Sequence, residues 1–410
     1  MNGKEIFSIA LGLSEPWQIE EVEFKIESNN IKTLHIYIGF TKGYKFLDAE
    51  GNFCTVHDTL SRKWRHLDFF QHECYIHCNV PRINEISSGK VRQVSVPWAR
   101  EGSGFTLLFE AYVMQLIEFE MPVAKVANLV NEYANRIWNV FQYWISIAYN
   151  TANHSTVKSI GFDETSSKKG HNYVTIAVDL DEHKVINAQV GKDANTIKLI
   201  KEYLEIKGCK SEQITNTSID LSPAFISGIM ENFPNSQITF DRFHVKKLLN
   251  EAMDEVRKLE RKEHEILKNH KYTFLKNQNN LTARQKEERD KLIILLPNIG
   301  EAYRLKILFD DFWDMKNAED AAGFLAYWTD LVTESGIQPL IKFGNTVKSH
   351  WSGIVNFIKT RISNGVLEGI NSKIQLAKKR ARGYRNMDNF IAMIYFIAGK
   401  LKFDYPHKST

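Results

Sequence analysis

A chain of 410 residues with 43% hydrophobic and 25% charged side chains has the balance of a soluble globular protein, and its length suits roughly two to four domains. Fibrous, low-complexity and disordered readings are excluded. Fifty-three basic residues against 49 acidic ones leave a net charge of only +4, so a polyanionic partner has to be argued from where the charges lie. Four cysteines (Cys54, Cys74, Cys78, Cys209) make no secreted disulfide framework, and the start MNGKEIFSIALGLSEPW has no sustained apolar core. No uncharged apolar run approaches the roughly 20 residues of a membrane helix. The expectation is a cytoplasmic chain without a signal peptide.

Residues 20 to about 100 read as a small β domain: Val22, Phe24 and Ile26 alternate, then Leu34, Ile36 and Ile38, then Cys74, Ile76, Cys78 and Val80. From Phe105 to Tyr149 the apolar spacing turns helical, with Pro122 as a breaker, and gives helix, turn, short helix and a longer helix bearing Trp138. That order fits a helix-turn-helix unit; a helical linker bundle fits it as well.

The next segment predicts strands over Val157–Asp163, Tyr173–Asp179 and Lys184–Val190, a helix over Ala194–Lys207, a strand over Ile214–Ile219, a helix over Pro223–Asn232 and a strand over Gln237–Phe240. Three hairpin-type strands followed by βαβ is the ribonuclease-H-like order, in which the first and fourth strands lie side by side and parallel. Asp163 and Asp220 stand at the carboxyl ends of those two strands. From Val245 to about Phe357 the pattern is helical and charged, including NNLTARQKEERDKLIILLP, with a cap-like Asn280 and a stop before Pro297. It reads as an α-helical insertion before closing helices that begin near Arg361 and run on from Met387 to Lys400. The fold class is thus α+β multidomain: an N-terminal small β domain over 1–100, a helix-turn-helix domain over 101–152, a ribonuclease-H-like α/β catalytic domain over 153–244 and 358–400, and the helical insertion over 245–357.

Asp163 and Glu164 end the apolar strand in SIGFDE and Asp220 ends the one in TSIDLS, so each strand tip would put a carboxylate on the sheet edge; Asp220 could equally cap the helix opening at Ser222–Pro223. In TRISNGVLEGINSKIQLAKKRARGYR, Arg361, Asn364, Glu368, Asn371 and Gln375 form a polar stripe and Ile362, Val366, Ile370 and Ile374 an apolar one. Such a helix can deliver Glu368 toward the aspartates, and it also reads as an ordinary amphipathic helix with a solvated glutamate. Three carboxylates suit Mg²⁺ or Mn²⁺, hard ions that take oxygen ligands, and two such ions can serve an in-line displacement at phosphorus. Lys373, Lys378, Lys379, Arg380, Arg382 and Arg385 follow with no acid between Glu368 and Asp388, as expected of a groove that tracks DNA phosphates.

Taken in order, IGFDETSSKKGHNYVTIAVDLDEHKV, SIDLSPAF, FPNSQITFDRFHVKK and ISNGVLEGINSKIQLAKKRARGYRN resemble the DDE transposases of the ISL3 insertion-sequence family, over about residues 40 to 400. The resemblance implies Asp163 and Asp220 as the metal-binding aspartates, Glu368 as the glutamate, and Asp241 and His244 of DRFH, with Asn364, near the active site. His244 can also be read as a helix-start histidine held by Asp241. The resemblance further implies a transposase that binds terminal inverted repeats in double-stranded DNA, cleaves and transfers strands with two Mg²⁺ or Mn²⁺ ions, and works as a homodimer or larger assembly at the nucleoid. A domesticated, catalytically silent DNA-binding descendant is the alternative. Family members usually carry paired zinc-ligating cysteines near the N-terminus; the corresponding stretches GYKFLDAEGNF and INEISSGKV have none. Cys54, His57, Cys74 and His77 could replace them by spacing, but Cys74 and His77 fall on opposite faces of a strand, so no structural zinc is expected.

Overall fold

The computed structural model describes residues 3–26, 32–86, 88–167, 173–362 and 365–404. It divides into two compact units, Met1–Trp144 with Lys402–Thr410, and Ile145–Leu401.

The first unit opens with helix α1 (Gly3–Ala10), ahead of the segment whose alternation predicts strands, followed by strands β1 (Trp17–Ile26), β2 (Lys32–Phe40), β3 (Phe46–Leu47), β4 (Phe53–Cys54), β5 (Val56–Phe69), β6 (His72–Asn84) and β7 (Val91–Gln93). The main sheet runs β1-β2-β6-β5, with β7 on β6, and β3 and β4 form a separate ribbon. Leu34, Ile36, Ile38, Cys74, Ile76, Cys78 and Val80 meet Trp17, Trp64 and Trp98 in one core, as the period-two pattern requires. The alternation at Val22, Phe24 and Ile26 is real, but β1 is an edge strand, and Phe24 and Ile26 stay exposed. Helices α2 (Leu107–Glu118), α3 (Val123–Leu129) and α4 (Ala134–Asn150) follow in the predicted order. Thr106 caps α2, and Pro122 opens α3, where a missing N–H costs nothing.

The second unit contains β8 (Ser159–Ser166), β9 (Tyr173–Asp179), β10 (Lys184–Val190), α5 (Ala194–Ile206), β11 (Asn216–Ile219), α6 (Pro223–Asn232) and β12 (Gln237–Phe240). Its sheet runs β10-β9-β8-β11-β12; β8 to β10 are antiparallel, whereas β11 is parallel to both β8 and β12. After β12 come α7 (Arg242–Glu260), α8 (Lys271–Leu275), α9 (Ala283–Leu295), α10 (Pro297–Asp311), α11 (Ala318–Glu334), α12 (Gln338–Ser349) and α13 (Trp351–Thr360), with no strand among the described residues. Phe309, Phe312, Trp313, Trp328 and Phe343 pack at the centre of these helices and belong to the same apolar cluster as Ile160, Phe162 and Ile219 of the sheet. The cap of α9 is Thr282, not Asn280: Thr282 and Gln285 form a reciprocal capping box, which satisfies two orphan N–H groups.

The closing helices are α14 (Gly365–Arg380) and α15 (Met387–Ala398). Arg361 does not begin α14. It ends α13 in a left-handed conformation (φ 52°) and donates to the carbonyls of Trp313 and Met315, so the expected polar stripe is broken ahead of Glu368. The buried stripe of α14 is Leu367, Ile370 and Ile374.

Candidate active site

Parallel pairing of β8 with β11 matches Ser159 to Asn216, Ile160 to Thr217 and Gly161 to Ser218. Each pair is 57 positions apart, the same separation as Asp163 and Asp220, so the two aspartates continue one register across neighbouring parallel strands. The expected strand end at Asp163 is corrected: β8 runs on to Ser166 because β9 keeps pairing it through Ser166↔Tyr173. Only β11 stops, after Ile219, and this bares the β11 side of β8 at the level of Asp163.

Asp163 is half-buried, and burial pushes its carboxyl above the ordinary range; the Glu164 amide and His244 pull it back, and the nearby Asp220 charge pushes it further. Its Oδ1 accepts from the Glu164 amide at 2.7 Å and its Oδ2 from Asn371 Nδ2 at 2.6 Å. Asp220 Oδ1 accepts from the amide of Ser222 at 3.0 Å; Ser222 itself is the N-cap of α6, so Asp220 braces the turn before the helix and does not cap it. Among the described residues neither aspartate has an ion pair.

Helix α14 lies along β8. Leu367 comes so close to Gly161 that a Cβ there would stand 2.8 Å from its Cδ1, which is why a glycine suits this point of the strand. Asn371 then bonds Asp163, Gln375 Nε2 donates to Thr165 Oγ1 at 3.2 Å, and Lys378 Nζ donates to the Ser166 carbonyl at 2.8 Å. Glu368 sits one turn before Asn371, in the first turn of α14, with its side chain exposed. Among the described residues no three His, Cys, Asp or Glu side chains stand close enough together to hold a metal ion. The two aspartates share a register and feel each other's charge, whereas Glu368 completes no three-ligand group with them.

The DRFH segment borders the same place. Asp241 is the N-cap of α7, its Oδ1 accepting from the Phe243 amide at 3.1 Å, while its Oδ2 lies 3.2 Å from His244 Nδ1. That pairing raises the imidazole above its usual value, with burial opposing and the charges of Asp241, Asp220 and Asp163 adding to the rise. A cleft of about 210 Å³ is lined by Asp220, Ser222, His244, Lys247 and Glu251 among others. Asn364 lies outside the described residues.

Two half-buried carboxylates in register, without ion pairs, beside the buried and unpartnered Oδ1 of Asn371, form an all-oxygen donor set of the kind a hard divalent cation takes. The ISL3 transposase model for the DDE domain matches residues 160–394, which include every one of these groups. The chain belongs to the ISL3 family of DDE transposases. A second model, the helix-turn-helix domain of transposase family ISL3, matches residues 94–145, covering α2 and α3 and most of α4. The transposase for insertion sequence element IS1001 of Bordetella parapertussis is 25% identical over 394 residues, 94% of this chain and 96% of its own length. That for element IS1557 of Mycobacterium tuberculosis is 27% identical over 365 residues, 81% of this chain and 80% of its own.

As a DDE transposase with a helix-turn-helix domain, the chain is a DNA-binding protein of a family that generally uses divalent metal ions. Of the basic run, Lys373, Lys379, Arg380, Arg382 and Arg385 are exposed, and Lys378 is half-buried on the Ser166 carbonyl. Tyr384, amid that run, is buried against Phe390. In the first unit Cys74 is in the core, whereas His77 stacks on Tyr37 and bonds His35 at 2.8 Å on the other face of β6. No helix of the described residues is long and apolar enough to cross a membrane. Sequence reasoning missed the bond from Asn371 to Asp163; its signal was the three-residue step from Glu368 along one helix face.

Proposed function

We propose that this chain is an insertion-sequence transposase that binds terminal inverted repeats and cleaves and transfers DNA strands at Asp163, Asp220 and Glu368. The observation that carries the reading is the shared register of Asp163 and Asp220 on adjacent parallel strands, with α14 bonded across them. The strand order β10-β9-β8-β11-β12 supports a ribonuclease-H-like catalytic domain, and α7 to α13 between β12 and α14 support a helical insertion within it. The four-part division follows: a β domain over 1–100, a helix-turn-helix domain over 101–152, a catalytic domain over 153–244 and 358–400, and the insertion over 245–357.

Two Mg²⁺ or Mn²⁺ ions held by the three carboxylates would supply Lewis acidity and an activated water or 3′ hydroxyl. The protein's own part is to hold Asp163 and Asp220 at a fixed spacing and keep their charges unpaired. Glu368, exposed on the first turn of α14, joins them by turning its side chain inward when cations and DNA are bound. His244, held by Asp241, faces the aspartate pair as a proton carrier. The basic end of α14 follows the phosphates, and the two ends of an element call for a homodimer or larger assembly.

A cleavage assay on DNA ends carrying the element's inverted repeats, run beside a gel-shift assay on the same DNA, tests the reading. Binding with Mg²⁺-dependent nicking is expected. Binding without nicking, under any divalent ion, would instead identify a silent DNA-binding descendant.

A further inference from the structure

Asn371 is the one side chain that ties α14 directly to an active-site carboxylate in the described residues. Its neighbours on the helix are seated against the sheet. Ile370 and Ile374 on either side are buried, and Gln375 and Lys378 fix the following turns to Thr165 and Ser166. Asp163, by contrast, faces a like charge on Asp220 and has no ion pair to hold it.

We infer that Asn371 is a positioning residue for metal binding: its amide Nδ2 orients Asp163, and its Oδ1 accepts from a water of the bound cation. The inference rests on the proposed reading of Asp163 as a metal ligand. A neutral amide suits the task because it fixes the carboxylate through one charge-assisted hydrogen bond without neutralising it, as a lysine or arginine would. Each Asp163 oxygen receives one hydrogen bond, which leaves lone pairs on both for a cation. Asn371 Oδ1 is buried and has no hydrogen-bond partner, a costly state in a folded protein unless a ligand satisfies it. Outer-shell partners of this kind typically alter metal affinity by roughly 10–100-fold.

The test is Mn²⁺ binding to the full chain, followed by calorimetry and by the electron paramagnetic resonance of free Mn²⁺. Asn371→Ala is expected to weaken binding at least about tenfold while leaving the metal-free melting temperature near that of the unaltered protein. Asn371→Leu, which keeps the volume and loses both polar atoms, gives the same reading if the alanine variant folds poorly. Gln375→Ala serves as the control, since it loosens the same helix face without touching Asp163, and it should bind Mn²⁺ normally. Equal losses in the Asn371 and Gln375 variants would mean that only the seat of α14 matters and would overturn the inference. So would normal Mn²⁺ affinity in Asn371→Ala while Asp163→Asn has lost binding. Retention of binding in Asp163→Asn would overturn the inference by removing the metal site beneath it.

Discussion

Glu110 in the first unit and Asp163 in the second are both carboxylates withdrawn from water, and their surroundings differ in kind. Glu110 is fully buried, with Ser103 Oγ at 2.6 Å, Arg100 Nε at 2.9 Å and Trp144 Nε1 at 2.9 Å all donating to it. Every oxygen is satisfied and the charge is paired. Asp163 receives only a backbone amide and a neutral side-chain amide, and the charges it feels are those of His244 and of another aspartate, Asp220. A carboxylate whose partners are complete holds a fold together. One kept half-buried with lone pairs to spare and a like charge beside it costs stability, and that cost makes sense where a cation is to bind.

The largest effects should come from the incomplete site. On the proposed reading, in which the three carboxylates work as one site, Asp163→Asn, Asp220→Asn and Glu368→Gln should each reduce Mg²⁺-dependent strand cleavage on the order of 10³-fold or more, and a double substitution should cost little beyond one. End binding in a gel-shift assay should survive. Undiminished cleavage by Glu368→Gln on pre-assembled ends would leave a different acid to be found. The sign for stability is opposite to that for activity. Since the folded-state value of Asp163 is raised, its ionised form destabilises the fold at neutral pH, so Asp163→Asn should melt no lower than the unaltered protein.

Glu110→Ala should do the reverse, costing about 3–5 kcal/mol by stranding the Arg100 charge and leaving the site chemistry untouched. Denaturant unfolding checks this, and a loss below 1 kcal/mol would erase the contrast between the two carboxylates.

Acid should sharpen the same contrast more gently. Burial lowers His66 to about 4, with Arg65 contributing, and lowers His77 to about 4, with His35 contributing. Both are held neutral in the fold, so their stabilising effect is complete above about 6.5 and is lost as the pH falls from there toward 4. Each histidine adds a slope of at most about 1.4 kcal/mol per pH unit. His66→Gln should flatten the acid limb of the melting curve; an unaltered limb would mean that His66 is not held neutral.

Smaller still is the effect of the basic run. Replacing Lys378, Lys379 and Arg380 with Ala should lower the salt dependence of DNA binding by roughly one unit of slope per lost phosphate contact. The exposed Lys379 should matter more than Lys378, which already serves the Ser166 carbonyl. The smallest change is expected from Glu164→Gln, which alternates to the other face of β8 and should leave cleavage within a few-fold.

Much of this was legible in the residues. Apolar periodicity located β9, β10, α6 and β12 at their observed limits, because two-residue and 3.6-residue repeats follow directly from burial on one face. Asp163 and Asp220 stood out because a polar residue at the end of an apolar run has to be accounted for. Other features escaped because they depend on neighbours distant in sequence. The persistence of β8 past Asp163 is imposed by β9, and the exposure of Phe24 and Ile26 by the edge position of β1.

The sequence by itself determined the elements, their order, the family resemblance and the set of acids from which a site could be drawn, since each of these rests on local pattern. Tertiary structure alone decided which acids share a register. The 57-residue offset acquires meaning only when β8 and β11 pair in parallel, and Asn371 reaches Asp163 only because Gly161 lets Leu367, and with it α14, press against the sheet. Contacts of that kind are fixed by packing across the fold, where close approach of backbones and side-chain volume select one arrangement that no local period encodes.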